Sequence, residues 1–253
     1  MVHRFFSAAN WAIMHFVVTQ ISPSKLKASL KDQDLQEAAR DFRYLLNRGY
    51  PRKRALELVG NRYQLSLDDR HLLHRGVFSK PDSTSRRHKV FPVKNLRNKN
   101  LAIDGHNVLI TIEAGLTARP LVLADDGFIR DISGVSGNFK RTSVTDVALR
   151  LILDVLKKTK PRHTLFLLDA PISHSGQLAE EIRRQLQRWN LPGDALAIKV
   201  PEELLIGFSG IISTSDTVII DRSSKVADLA GFIIRRKVKP ASMLRWKKSP
   251  SQA

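Results

Sequence analysis

The chain has 253 residues, enough for one large domain or two small ones whose core needs no staples. It contains no cysteine, which excludes disulfides and thiolate metal sites. Its 42 Lys and Arg against 24 Asp and Glu give a net charge of +18, and the excess is uneven: residues 1–100 hold 20 basic and 8 acidic side chains, or +12, while residues 101–253 hold 22 and 16, or +6. A basic first part joined to a second part with acids at its strand ends points to a polyanion held by one and processed by the other, the plain rival being a generally basic soluble surface.

Phe5 to Ile21 carries no charge apart from His15, but a membrane span needs about 20 mostly apolar residues, and Ser7, Asn10, Thr19 and Gln20 interrupt this stretch. Residues 1–30 therefore read as an extension outside the core, with no membrane attachment and a cytoplasmic location expected. From Asp34 the apolar residues Leu35, Ala38, Ala39, Phe42, Leu45 and Leu46 recur at helical spacing, with Asp32 or Asp34 placed to start the helix and Gly49 to end it. Pro51 suits the start of a second helix bearing Ala55, Leu56, Leu58 and Val59 before Gly60. Ser66 suits the start of a third, with Asp68 and Asp69 in its first turn and Leu67, Leu72 and Leu73 on its apolar face.

Short helices with a Gly-containing break make residues 31–79 compatible with a small all-α, helix-turn-helix-like module. Its Arg48, Arg52, Lys53, Arg54, Arg62, Arg70 and Arg75 are then expected along one surface facing phosphates, unless the module is a plain bundle with a solvated basic face. Residues 80–99 hold Pro81, Ser83, Ser85, Pro92 and seven basic residues opposed by Asp82 alone, which predicts an exposed basic linker and the first point of protease attack.

Leu101-Ala-Ile-Asp-Gly-His-Asn-Val-Leu109 reads as a strand buried on both faces that delivers Asp104 to its carboxyl edge and then turns at Gly105. Leu121 to Ile129 has two apolar arms around Asp126-Gly127, a hairpin signal that makes Asp125 and Asp126 turn residues and leaves Asp131 undecided. Gly134 to Arg141 is a basic loop in which Lys140 and Arg141 are placed to meet a phosphate at the start of the next helix. That helix runs to about Lys158, capped by Ser143 or Thr145, with Asp146 in its first turn.

Thr164-Leu-Phe-Leu-Leu168 is a second strand and ends in Asp169. A helix follows from Gln177 to Trp189, then strands at Leu196 to Val200 and at Ile211-Ile212, the latter leading to Asp216. Asp221 closes the next apolar triplet, Val218-Ile-Ile220, and a last helix is expected over Lys225 to Ile234. The tail, residues 236–253, is basic and carries Trp246, as an RNA contact or a solvated end. Strand and helix alternating in this way imply a parallel, three-layer α/β/α domain over residues 100–235. In such a sheet the strand-ending acids gather at one edge, where they repel one another unless a cation sits among them.

Asp104-Gly-His-Asn-Val108 resembles the opening Asp-Gly-Tyr-Asn-Val of NYN-type domains in the PIN-like ribonuclease superfamily, Val144 to Leu149 is similar to their Val-Asp-Val helix motif, and Thr214-Ser-Asp216 to the Thr-Ser-Asp that closes their site. Two departures are His106 in place of the usual Tyr and the lack of the common Asp-Phe pair after Asp216. Tyr44 to Pro51 and Leu58 to Tyr63 resemble the N-terminal module of a largely archaeal family of uncharacterised proteins, in which such a module precedes a PIN-like domain.

The resemblance implies a PIN-like fold and a metal-dependent endoribonuclease. Asp104, Asp146, Asp169 and Asp216, with Asp221 nearby, are the expected ligands of Mg²⁺ or Mn²⁺; Asn107 is expected to orient a carboxylate or water, and Ser215 to contact phosphate beside Arg52, Lys53, Arg54, Arg62, Lys140 and Arg141. RNA is the expected partner, with DNA and a homodimer left open. The rivals are a non-catalytic nucleic-acid-binding protein with a degenerate PIN-like half, and a phosphatase acting on a small phosphoester, which leaves the basic first domain unexplained.

Overall fold

The computed structural model describes residues 23–132, 139–238 and 243–247. The stretch from Phe5 to Ile21 and positions 134–138 of the basic loop lie outside the described residues. Helix α1 spans Pro23–Asn47, starting ahead of the Asp32 and Asp34 expected to begin it. Its Leu35, Ala38, Ala39 and Phe42 lie buried with Ala55 and Val59 of α2 (Arg52–Arg62) and Leu73 of α3 (Leu67–Gly76), since apolar residues three and four apart share one helix face. Gly49, at φ +80°, makes the turn between α1 and α2. Ser66 Oγ accepts the Asp69 N–H at 3.2 Å and caps α3.

Residues 80–99 are not an exposed linker. Ser79 Oγ accepts the Asp82 N–H at 3.2 Å to cap α4 (Lys80–His88), whose Ser83 and Arg86 are buried. Val90 then forms a parallel bridge with Val226, Phe91 N–H donates to Val226 O at 2.8 Å, and Val93 and Leu96 enter the main core. The segment is stitched into the second half of the chain, and the expectation of early proteolysis there falls with it.

Among the described residues the strands are β1 (Asn100–Asp104), β2 (Leu121–Leu123), β3 (Ile129–Asp131), β4 (His163–Asp169), β5 (Gly193–Ile198), β6 (Ile211–Ser213) and β7 (Met243–Arg245). The helices between them are α5 (Gly105–Leu116), α6 (Ser143–Thr159), α7 (Ser175–Arg188), α8 (Pro201–Ile206), α9 (Thr217–Arg222) and α10 (Leu229–Ile233). The central sheet is parallel throughout, in the order β5-β4-β1-β6. Alternation along β1 sends Leu101 and Ile103 into a core with α5, α6, α7 and α10, and Ala102 into a second core with Leu205 of α8 and Ile219 of α9. Helices cover both faces, as a parallel sheet requires. The chain winds outwards from β1 to β4 and β5, then returns to place β6 on the other side of β1, so the winding reverses between β1 and β6.

The hairpin is present: β2 and β3 pair antiparallel with Gly127 at φ +88° in the turn. Asp125 and Asp126 are more than turn residues, however. Arg43 grips both oxygens of Asp125 at 2.8 Å, and Phe78 N–H donates to Asp125 Oδ2 at 3.0 Å. Asp126 is fully buried, held by both Nη atoms of Arg130 at 2.8 Å and by Arg86 at 3.3 Å. The guanidinium groups of Arg52, Arg86 and Arg130 stand over the Phe78 ring, at 4.6, 4.4 and 5.0 Å from its centre.

Part of the tail is also structured. β7 pairs in parallel with β2, Trp246 packs against the core of the helical module, and Gln36 Nε2 donates to Arg245 O at 3.2 Å. Residues 243–247 are therefore packed against the rest of the chain rather than a solvated end, with Arg245 and Lys247 exposed. No helix among the described residues is long and apolar enough to cross a membrane.

Candidate active site

The carboxyl edges of β1 and β6 meet where the winding reverses, the place where an open α/β sheet leaves a crevice. Strand β1 passes into α5 with no intervening loop, and the step needs glycine: a Cβ at Gly105 would stand 2.5 Å from Leu168 Cδ2 and 3.0 Å from Leu167 O. Asp104 is thus held at the junction, 8 % exposed. Its Oδ2 accepts from Thr214 Oγ1 at 2.8 Å, and the same hydroxyl accepts the Asp216 N–H at 3.0 Å. Asp216 Oδ1 in turn accepts the N–H groups of Val218 at 2.8 Å and Ile219 at 3.2 Å, capping α9.

Burial raises the Asp104 carboxyl, and the negative Asp169 and Asp216 add to the rise, to a pKa of about 7; the Thr214 hydroxyl and the Asn107 N–H oppose it. From the end of β4, Asp169 Oδ2 stands 3.1 Å from His106 Nδ1, and Asp169 N–H lies 3.1 Å from the same nitrogen, which serves one of the two at a time. His106 is 2 % exposed, its ring edge-on to Phe139 at 5.1 Å, and its Nε2 has no hydrogen-bond partner among the described residues.

Asp104, Asp169 and Asp216 line one cavity of about 580 Å³. Asp131, Glu202, His106 and Arg75 line it too, none of them singled out for this site from the sequence. Asp131 and Glu202 follow the same logic as the others, an acid at the end of a strand or at a helix start after one. His106 adjoins the Asp104 turn. For Arg75, which arrives from α3, no local signal exists.

Several expected site residues go elsewhere. Asp146 is half-exposed and paired with Arg141 at 2.7 Å beside a separate hollow that Glu181 and Trp189 also line. Asp221 belongs to α9, because Val218 to Ile220 is helical rather than a strand, and both its oxygens bind Arg86 at 2.7 Å. Ser215 is buried, its N–H and Oγ donating to Asn107 Oδ1 at 2.9 and 3.0 Å, and it does not line the cavity; Asn107 orients the Ser215 loop. Arg52 donates to the carbonyls of His74 and Val77, and burial, then Arg86 and Arg130, lower its pKa to about 10. It is an internal strut. Lys53, Arg54 and Arg62 are exposed as expected, Arg54 near Glu57 and Arg62 near Asp41, and Lys140 and Arg141 are exposed before α6.

The donor set of the cavity is carboxylate oxygen with one imidazole, which suits a hard divalent cation. Among the described residues no three such groups stand close enough to enclose an ion by themselves. Mg²⁺ does not require that, since it keeps several waters and is bound through one or two carboxylates together with substrate phosphate.

The fold and cavity thus define an α/β domain with an acidic site at the reversal of a parallel sheet, fused to a helical module. The chain belongs to the family described as "Domain of unknown function (DUF5616)", whose model matches residues 93–232, and residues 34–89 match "Protein of unknown function (DUF434)". It is 36% identical over 186 residues to an uncharacterized protein of the archaeon Methanocaldococcus jannaschii, an alignment covering 74% of this chain and 88% of that one. No solved structure matches the chain.

Proposed function

We propose that the protein is a PIN-like, metal-dependent endoribonuclease. The reading rests above all on Asp104: a carboxyl raised to about 7 chiefly by burial, with the charges of Asp169 and Asp216 adding to the rise, in a cavity of about 580 Å³ at the sheet reversal. A charge left in that condition is what a divalent cation would relieve. Asp104, Asp169 and Asp216 would hold the ion, and when bound it supplies the Lewis acidity that activates water and offsets charge on the phosphodiester.

The chain's own residues do the rest. Thr214 fixes the rotamer of Asp104 and, through the Asp216 N–H, the turn that presents Asp216. Asn107 holds the Ser215 backbone, so the loop between β6 and α9 keeps its place beside α5. His106 sets Asp169 from behind. The +12 of residues 1–100 gives a polyanion its long-range attraction.

The test is an assay of the full chain on labelled single-stranded RNA, structured RNA and duplex DNA, with Mn²⁺ and with EDTA. Cleavage of RNA that requires Mn²⁺ and is lost in Asp104→Asn is the expected result. A pure protein that binds RNA but never cleaves it defeats the hydrolase and leaves the non-catalytic binding reading.

A further inference from the structure

Arg75 is the sole arginine or lysine among the described residues lining the carboxylate cavity, which Asp104, Asp131, Asp169, Glu202 and Asp216 also line. It comes from the last turn of α3, in the helical module, while every acid around it belongs to the sheet domain. Contacts one residue away fix its position. Asp125 N–H donates to Gly76 O at 2.9 Å. A Cβ at Gly76 would meet Val122 Cγ2 at 2.6 Å and Trp246 Nε1 at 2.7 Å, so only glycine lets α3 press this closely on β2 and the tail. The end of α3 is thus clamped to the hairpin, and the module projects a guanidinium into the other domain's site.

That guanidinium is not consumed by the fold in the way its neighbours are. Arg52, Arg86 and Arg130 each donate to protein oxygens, whereas Arg75 Nε is buried without a hydrogen-bond partner. Burial lowers its proton affinity and Asp131 restores part of it, with Arg130 and Asp216 as smaller influences. A guanidinium has five donors in a planar fork that matches the paired oxygens of a phosphate.

We propose that Arg75 binds a phosphate of the substrate in this cavity, so that the site takes a phosphodiester only as a composite of the helical module and the sheet domain. This rests on the reading that the carboxylates hold a cation, because five bare acids around one guanidinium would repel an anion. It also gives the fusion a purpose: the module supplies an anion-binding group as well as a basic surface.

The experiment uses the full chain, its Arg75→Gln and Arg75→Lys variants, and a fluorescein-labelled pentauridylate as probe. Affinity is measured by anisotropy over a salt series in Ca²⁺, and cleavage separately in Mn²⁺. Arg75→Gln is expected to weaken binding at least about tenfold and to reduce the salt slope by about 0.7, the share of one phosphate contact on a single strand. Arg75→Lys, which keeps the charge and loses the fork, is expected to keep the slope and to fall between the two in affinity.

A merely structural role would move the melting temperature and leave the slope alone, and that pattern overturns the assignment. So does a parent chain that does not bind the probe, or an Arg75→Gln chain that binds like the parent. Binding that depends on Arg75 in a chain that never cleaves keeps the assignment and defeats the hydrolase. Cleavage that dies in Asp104→Asn yet persists at the parent's KM in Arg75→Gln does the opposite.

Discussion

Asp126, three residues past β2, and Asp104, the last residue of β1, are both buried aspartates, and the protein treats them in opposite ways. Burial pushes each carboxyl up, but at Asp126 the guanidinium groups of Arg130 and Arg86 outweigh it and hold the carboxyl below its usual range. Asp104 has no ion-pair partner among the described residues; Asp169 and Asp216 add their charge to the effect of burial, and the carboxyl rises to about 7. The boundary between module and sheet is therefore a place of matched charges: Asp126 with Arg130 and Arg86, Asp221 with Arg86, Asp125 with Arg43. The cavity is a place of acids in excess. Matched charges hold structure in register, whereas the excess in the cavity is the charge that the proposed cation would answer.

The largest effect is expected at the matched end. Asp126→Asn leaves Arg130 and part of Arg86 buried without their counter-charge, and removing one partner of such a pair costs about 3–5 kcal/mol. Urea unfolding should show it, and a loss under about 1 kcal/mol would mean the boundary is not held by charge. At the excess end, Asp104→Asn should cut the cleavage rate at least about a thousandfold, or some 4 kcal/mol of barrier, with no loss of stability.

Stability should in fact show Asp104 through its pH dependence. The folded carboxyl, at about 7, lies above its ordinary value of 3.8, so the native state binds the extra proton between those pH values. Stability therefore falls as pH rises from about 4 to about 7 and is level above that. Asp104→Asn removes this slope, and Mn²⁺ should flatten it in the parent. Identical slopes in parent and variant would show that Asp104 carries no such strain.

Next in size is Arg52→Ala. It removes donors from the His74 and Val77 carbonyls and a cation from the Phe78 ring, which should cost roughly 2–3 kcal/mol. Arg54→Ala, on the exposed face, should change stability by less than about 0.5 kcal/mol. Measured RNA affinity should respond to Arg54 directly and to Arg52 only through folding.

What the sequence made legible follows from what is local. The apolar run before Asp104, the run before Asp169 and the hairpin signal at Asp126-Gly127 depend on neighbouring residues alone, and all three elements are present. Helix α4 was invisible because its inner face is Ser83 and Arg86 rather than a hydrophobic stripe: Arg86 can be buried only because Asp126 and Asp221, far along the chain, receive it. Asp221 misled for the same reason, since Val218 to Ile220 suits a strand by composition but forms one short helix capped by Asp216. Arg75 was expected on the module's phosphate-facing surface, and nothing local could place it in the cavity. Its entry into the cavity depends on the packing of Gly76 against Val122 and Trp246, a contact between distant parts of the chain.

The smallest expected effect is the one that draws the line between the two kinds of acid most finely. Asp146 stands in the first turn of α6, where a negative charge suits the helix dipole by about 0.3–1 kcal/mol, and it pairs with Arg141 at the surface, a contact worth about 0–1 kcal/mol. The helix start does not depend on it, because Thr142 Oγ1 accepts the Val144 N–H at 3.2 Å and Thr145 Oγ1 accepts the Thr142 N–H at 3.0 Å. Asp146→Asn should therefore lower stability by less than about 1 kcal/mol and leave cleavage within a few-fold of the parent, while Asp169→Asn falls with Asp104→Asn. Steady-state kinetics on the three variants side by side decide the matter. A hundredfold loss in Asp146→Asn would mean that the Arg141 pair opens in the working enzyme and that Asp146 joins the acids in excess, with the catalytic site extending along α6 beyond the cavity.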